Sequence, residues 1–130
     1  MTTHRQTPRP TDAELEILKV LWQRGASTVR EVHDVLNESR PTGYTTVLKL
    51  MQIMSEKGLV SRDEGQRAHV YEARLAQEQT ERQMVGDLLE RVFDGSASKL
   101  VMQALATKKT SARELTAIRQ LLSEFEEEAK

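Results

Sequence analysis

The sequence predicts a mainly α-helical protein with one small β-hairpin, divided into two domains along its 130 residues. Three observations lead there. Thr11-Asp12-Ala13-Glu14, Thr28-Val29-Arg30-Glu31 and Ser111-Ala112-Arg113-Glu114 are capping boxes, in which a hydroxyl and a carboxylate three residues apart satisfy amides that a first helical turn leaves unpaired. Residues 43–73 keep a helical apolar spacing as far as Lys57-Gly58, then change to two short, partly alternating runs separated by Glu64-Gly65-Gln66-Arg67. Past Arg74 the pattern is helical again.

Residues 1–10, with two Pro, three Thr and no apolar periodicity, read as a flexible arm. Arg5 and Arg9 make it a candidate for brushing phosphates, and a solvated tail fits the same residues. The first helix opens at the Thr11 box. Leu15, Leu18 and Trp22 share a face that Ile17 and Leu21 widen, and Gly25 after Arg24 supplies a left-handed stop. The Thr28 box opens a second helix, lined by Val29, Val32 and Leu36 and running to about Glu38. Residues 37–43 form a turn-rich connector in which Pro41 disfavours helix at Arg40, so the chain reverses there. A third helix begins at Tyr44, with Val47, Leu50, Met51 and Met54 inward, and stops at Gly58. Residues 59–63 and 68–73 then make a hairpin.

Three helices followed by a hairpin is the order of a winged helix-turn-helix domain, here 11–74, and its third helix occupies the place of a DNA-reading helix. A wheel at 100° per residue turns Thr45, Lys49, Gln52 and Glu56 outward. Lys, Gln and Thr suit the donors, acceptors and thymine methyl of the major groove. Thr45 and Thr46 sit in the first turn, where hydroxyls and amides meet a phosphate or a base, whereas Glu56 lies too late to enter the groove. Any solvated helix shows a Thr/Lys/Gln face, so the assignment leans on the position of this helix in the order. Arg62 and Arg67 on the hairpin are candidate phosphate contacts, with ordinary solvated strand charge as the alternative; Arg30 is a further candidate.

From 75 to 130 the sequence predicts a helical domain. A first helix carries Met84, Val85, Leu88, Leu89, Val92 and Phe93, a stripe too broad for a single packed neighbour. Asp94-Gly95-Ser96 breaks it; a short helix with Leu100, Val101, Ala104 and Leu105 follows, then a polar link over 107–110. The last helix aligns Leu115, Ile118, Leu121, Leu122 and Phe125, and Glu126-Glu127-Glu128 is its solvated end. With two Phe, two Tyr and one Trp the core has few large anchors, so association with a second copy is expected through Leu88, Leu89, Val92, Phe93, Leu100, Val101, Leu105, Leu115, Ile118, Leu121, Leu122 and Phe125.

Composition narrows the function classes. The absence of Cys excludes disulfides and thiolate metal sites, and His4, His33 and His69 lack partners at metal-ligand spacing; no metal or other cofactor is expected. No nucleophile elbow or glycine-rich phosphate loop is present, so an enzyme is not expected. No apolar run approaches the roughly 20 residues of a membrane span, and MTTHRQTPRP has no hydrophobic signal core, so the expectation is a cytoplasmic protein without membrane insertion. Net charge is −1, with 11 Lys/Arg against 10 Asp/Glu up to Arg74 and 8 against 10 beyond it; a DNA-binding face must gather basic groups rather than possess an excess. That weak charge also fits a winged-helix protein-interaction module, and a third reading is a DNA-binding regulator released by a small ligand held between the domains.

From Thr11 onward the chain resembles the penicillinase-repressor family, the BlaI/MecI-like transcriptional regulators. The resemblance is carried by TDAELEILKVLWQRGASTVREVHDVL, GYTTVLKLMQIMSEKGLV, RAHVYEA, GSASKLVMQAL and SARELTAIRQLL. It implies a homodimeric winged-helix repressor on a palindromic double-stranded DNA operator, with C-terminal helices interlocked between copies. It places Tyr44, Thr45, Thr46 and Lys49 at the reading start of the third helix and Arg62 and Arg67 on the wing. It further implies induction through a membrane sensor with a metalloprotease domain, acting indirectly, and repressor cleavage. Copper-responsive members carry a Cys-rich C-terminal site, and this chain has no Cys. In the penicillinase repressors the cut falls between Asn and Phe; the corresponding stretch here, Val101-Met102-Gln103-Ala104, keeps neither.

Overall fold

The computed structural model describes residues 9–65 and 67–130; Arg5, His4 and the rest of the expected arm up to residue 8, and Gln66 at the hairpin tip, lie outside them. The elements are α1 (Asp12–Arg24), β1 (Ser27–Thr28), α2 (Val29–Ser39), α3 (Tyr44–Lys57), β2 (Val60–Asp63), β3 (Val70–Ala73), α4 (Gln77–Phe93), α5 (Ala97–Thr107) and α6 (Ala112–Ala129). The chain divides into two compact units between Met84 and Val85.

In the N-terminal unit, local chemistry sets the boundaries. Thr11 and Thr28 each accept from the amide three residues on, at 3.2 Å, while the Glu14 and Glu31 carboxylates return to the cap amides at 2.9 Å. Both capping boxes close as expected. The α2 helix stops at Ser39 because Arg40, held extended before Pro41 at φ −161° and ψ 152°, cannot continue it. Gly58 ends α3 in the left-handed region, φ 85° and ψ 14°, where a side chain is disfavoured. Gly25 departs from the expected left-handed stop. Its φ is 91° but its ψ is −167°, so the chain leaves α1 extended, straight into β1.

That short strand is absent from the sequence reading. Ser27 and Thr28 pair with Tyr71 and Val70, so the expected two-stranded hairpin is the larger part of a three-stranded antiparallel sheet of order β1-β3-β2. Two residues carry no readable alternation, and their strand exists only because β3 offers its free edge. The β2–β3 register sets Arg62 opposite Tyr71 and Val60 opposite Ala73.

Around α3 the core closes. Val47, Met51 and Met54 are fully buried against Ile17, Leu18, Val20 and Leu21 of α1, Val29 and Val32 of α2, and Leu59, Val60 and Tyr71 of the sheet. Leu50, expected inward, is only half-buried, because it sits at the rim between α3 and α1. Val20 takes a core place that the wheel of α1 did not assign, and Leu15 is half-buried. Trp22 donates its indole N–H to the Leu75 carbonyl at 2.9 Å, tying α1 to the chain that leads into α4.

One charged group is nearly inaccessible. Glu14, 2% exposed, receives the Lys57 ammonium at 2.7 Å, which joins the first turn of α1 to the last turn of α3. Burial pushes this carboxyl up, but its bonds to Lys57 and Thr11 outweigh that and hold it below the ordinary carboxylate range.

In the C-terminal unit, Ser96 and Ser111 cap α5 and α6 by accepting from the Lys99 and Glu114 amides at 3.2 and 3.1 Å. No residue of α5 or α6 is buried. Leu89, Phe93, Leu100, Leu115 and Ile118 are partly covered, while Leu88, Val92, Val101, Leu105, Leu121, Leu122 and Phe125 are exposed. Val85 and Met102 are exposed as well, at 50% and 62%.

The Glu14 carboxylate generates a pH-dependent prediction. A carboxyl held below its unfolded value stabilises the fold above the ordinary carboxylate range, and that contribution disappears as pH falls through its folded value. Glu14→Gln should therefore lower stability at pH 7 by about 1.5–3 kcal/mol, the range for a hydrogen bond to a charged group. In urea unfolding, the gap between variant and wild type should narrow steadily as pH is taken below 4; a gap independent of pH would contradict the assignment.

Candidate nucleic-acid interface

Helix α3 meets different surroundings around its circumference, in an order its 100° step dictates. Val47, Met51 and Met54 point to the core. Tyr44, Leu48 and Gln52, spaced by four, face the sheet. Thr45 and Lys49, one step further round, are exposed and border neither cavity. Thr46 is exposed on the far edge, where with Gly43 and Leu50 it lines a groove of about 810 Å³ bounded by α1 and the end of α2. Glu56 is exposed at the opposite end of the helix.

Between α3, the start of α2 and the hairpin lies a cleft of about 270 Å³. Arg30, Tyr44, Gln52, Arg62, Arg67 and His69 all line it. The fold thus brings Arg30 from α2, two arginines from the hairpin and the outward Gln52 of α3 to one concavity. These residues are scattered over 38 positions of sequence. Their convergence follows from the connector reversal at residues 40–43, the β1–β3 pairing that brings the start of α2 to the sheet, and the β2–β3 register.

The three arginines differ in their local ties. The Arg30 guanidinium lies over the Tyr44 ring, 4.5 Å from its centroid, a cation–π contact. Arg62 pairs with Glu64 and stands opposite Tyr71 across the strands; the neighbouring Tyr71 hydroxyl and the Glu64 pair raise its pKa. Arg62 therefore meets the cleft already engaged, which the sequence alone did not indicate. Arg67 is exposed and makes no ion pair among the described residues. Arg9 lies at the start of α1, where its carbonyl receives Lys57 Nζ at 3.5 Å, away from the cleft-lining residues.

Two histidines whose sequence spacing argues only against a metal site have structural places here. His69 belongs to the cleft wall. His33 packs edge-on to Tyr44, ring centroids 5.8 Å apart at 68°, and so stands behind the Tyr44–Arg30 pair. The signal in the sequence was its spacing: His33 lies one turn after Arg30 on the same face of α2. Among the described residues no group of three or more His, Cys, Asp or Glu is placed to hold a metal ion, and no helix is long and apolar enough to cross a membrane.

Known proteins share both sequence and fold. A family model described as penicillinase repressor matches residues 10–124. The chain is 31% identical over 116 residues to the transcriptional regulator BlaI of Mycobacterium tuberculosis, covering 88% of this chain and 83% of that one. It is 23% identical over 126 residues to the penicillinase repressor of Bacillus licheniformis, covering 97% and 98%. The solution structure of the DNA-binding domain of the repressor BlaI is similar in fold, with a TM-score of 0.50 at 24% identity over 57% of this chain and 90% of that domain.

Proposed function

The chain belongs to the penicillinase repressor family, and on that premise we propose that it is a homodimeric, sequence-specific transcriptional repressor. Residues 11–74 form the DNA-binding domain and 75–130 the dimerisation domain. Helix α3 lies in the major groove of one half of a palindromic operator, reading bases through Thr45, Lys49 and Gln52, with Tyr44 and Thr46 at its start. Arg30, Arg62 and Arg67 hold the backbone alongside. The observation that carries this reading is the convergence of those three arginines with Tyr44 and Gln52 around one cleft beside the exposed face of α3. A chain of net charge −1 has no general affinity for a polyanion, so cations gathered at a single concavity are what make binding local and oriented.

The dimer rests on different evidence. Exposed Val85, Leu88, Val92, Val101, Met102, Leu105, Leu121, Leu122 and Phe125 all belong to the C-terminal unit. A two-fold association would remove this surface from water, at roughly 25 cal/mol for each Å² of apolar area. Both half-sites are then held at a fixed separation, which is what a palindrome requires. Release follows from weakening that dimer, by cleavage under the control of a sensor metalloprotease or by another signal reaching the C-terminal helices.

Two measurements test the reading. Binding of the purified protein to its own promoter region should weaken steeply with salt, by about 0.9 in the logarithmic slope for each phosphate neutralised. Arg67→Ala should reduce that slope by about one such contact and weaken all sequences alike, whereas Lys49→Ala should cost about 1–3 kcal/mol on the operator and relax its preference. Salt-insensitive binding, or none, would remove the proposal and leave the protein-interaction reading in its place.

The C-terminal face has its own test. Phe125→Asp should shift sedimentation equilibrium toward monomer and weaken the full palindrome far more than a single half-site. A variant that remains dimeric with unchanged operator affinity would place the dimer contact elsewhere.

A further inference from the structure

Resting on that reading of α3, we propose that His33, together with Asn37, is a positioning residue that fixes the start of the DNA-reading helix and holds the Tyr44–Arg30 pair in register with it. The two side chains stand four residues apart on one face of α2 and grip one residue of the connector from both sides. His33 Nε2 lies 2.8 Å from the Thr42 carbonyl oxygen, and Asn37 Oδ1 accepts from the Thr42 amide at 2.9 Å. A carbonyl only accepts, so Nε2 carries the hydrogen of this bond. The Thr42 hydroxyl closes the turn further by donating to the Arg40 carbonyl at 2.9 Å.

The reason such a clamp matters is local. Helices α1, α2, α5 and α6 each begin on a hydroxyl cap: Thr11, Thr28, Ser96 and Ser111. Helix α3 begins on Gly43, which makes no side-chain cap bond. No side-chain cap therefore pins the first turn of α3, the turn that carries Tyr44, Thr45 and Thr46. The residue immediately before that glycine is the one His33 and Asn37 hold, so the position of the reader helix is set from α2.

The same imidazole makes a second contact in the chain of positioning. Its edge meets the Tyr44 ring, and the face of that ring carries the Arg30 guanidinium. The His33 side chain is 14% exposed, with Nδ1 3.1 Å from the Asp34 carboxylate, so the ring has little freedom to move. Connector, aromatic ring and arginine are thereby referenced to one side chain that need not touch DNA.

The experiment uses the full-length protein with its own promoter DNA and a scrambled duplex of equal length. His33→Ala and Asn37→Ala should each weaken promoter binding about tenfold, within the range that a base contact commands, and leave scrambled-DNA binding nearly unchanged. His33→Gln, which offers an amide N–H to Thr42 without the ring, should recover part of that loss. The His33→Ala and Arg30→Ala losses should be less than additive, as expected where one side chain acts through the other. Amide hydrogen exchange at Thr42 should accelerate in Asn37→Ala, a readout that requires no DNA. Should His33→Ala fail to fold, His33→Gln and Asn37→Ala carry the same comparison. Promoter binding by the wild type that survives these changes, or losses equal on both duplexes, overturns this inference alone. Failure of the wild type to bind its promoter overturns it together with the function it rests on.

Discussion

The constraint on which the rest depends is that one 14-residue helix must furnish both the centre of a small core and an exposed polar face. Val47, Met51 and Met54 of α3 are wholly inaccessible, and Thr45, Lys49 and Gln52 on the other side are exposed. A period of 3.6 residues allows both only if the helix does not rotate about its axis. Packing of the inner face prevents rotation, because a turn of one residue would carry Met51 toward solvent and Gln52 toward the core. The Glu14–Lys57 pair fixes the far end of α3 to α1, and the grip on Thr42 fixes the near end to α2. The helix is thus set in rotation by its core, and along its length by polar contacts at its two ends.

Much of this was legible in the sequence, and the legible parts share a property: their cause lies within a few residues of their effect. Thr11 with Glu14 and Thr28 with Glu31 state where helices begin, Gly58 where one ends, and Pro41 why residue 40 is extended. The 3.6 periodicity of residues 44–57 divided core from surface correctly but for Leu50, whose half-exposure depends on where α1 lies. What escaped was non-local. Strand β1 is two residues long and owes its existence to the edge of a strand more than 40 positions away. Arg62 looked like any strand arginine until the register placed Tyr71 opposite it and the hairpin turn brought up Glu64. The grip of His33 on Thr42 is invisible in sequence because spacing addresses metal sites well and backbone clamps hardly at all.

The C-terminal unit shows the opposite balance. Its helices have clear starts and clear stripes, yet α5 and α6 bury no residue within the single chain. An isolated unit of this size that exposes Val92, Leu122 and Phe125 to water forgoes the apolar burial that must offset the entropy of ordering its backbone. The sequence stripe and the exposed face therefore say the same thing at two levels. The helices carry an apolar pattern that their own unit leaves uncovered.

Charge illustrates why an average is a poor guide to an interface. Eleven basic and ten acidic residues up to Arg74 nearly cancel, but a field at the surface depends on position, and position is what folding changes. Three arginines reach one cleft, each in a different state. Arg67 is exposed, Arg30 lies over an aromatic face, and Arg62 already pairs with a carboxylate beside Tyr71. A phosphate approaching Arg62 must share or displace Glu64, which reduces the net gain relative to an unpaired cation. Arg30 gives up no ion pair on approach, because its described contact is with the neutral Tyr44 ring. The discrimination between these arginines comes from their neighbours in space, and the residue that orders Arg30 most directly, Tyr44, is itself the first residue of the helix beside it.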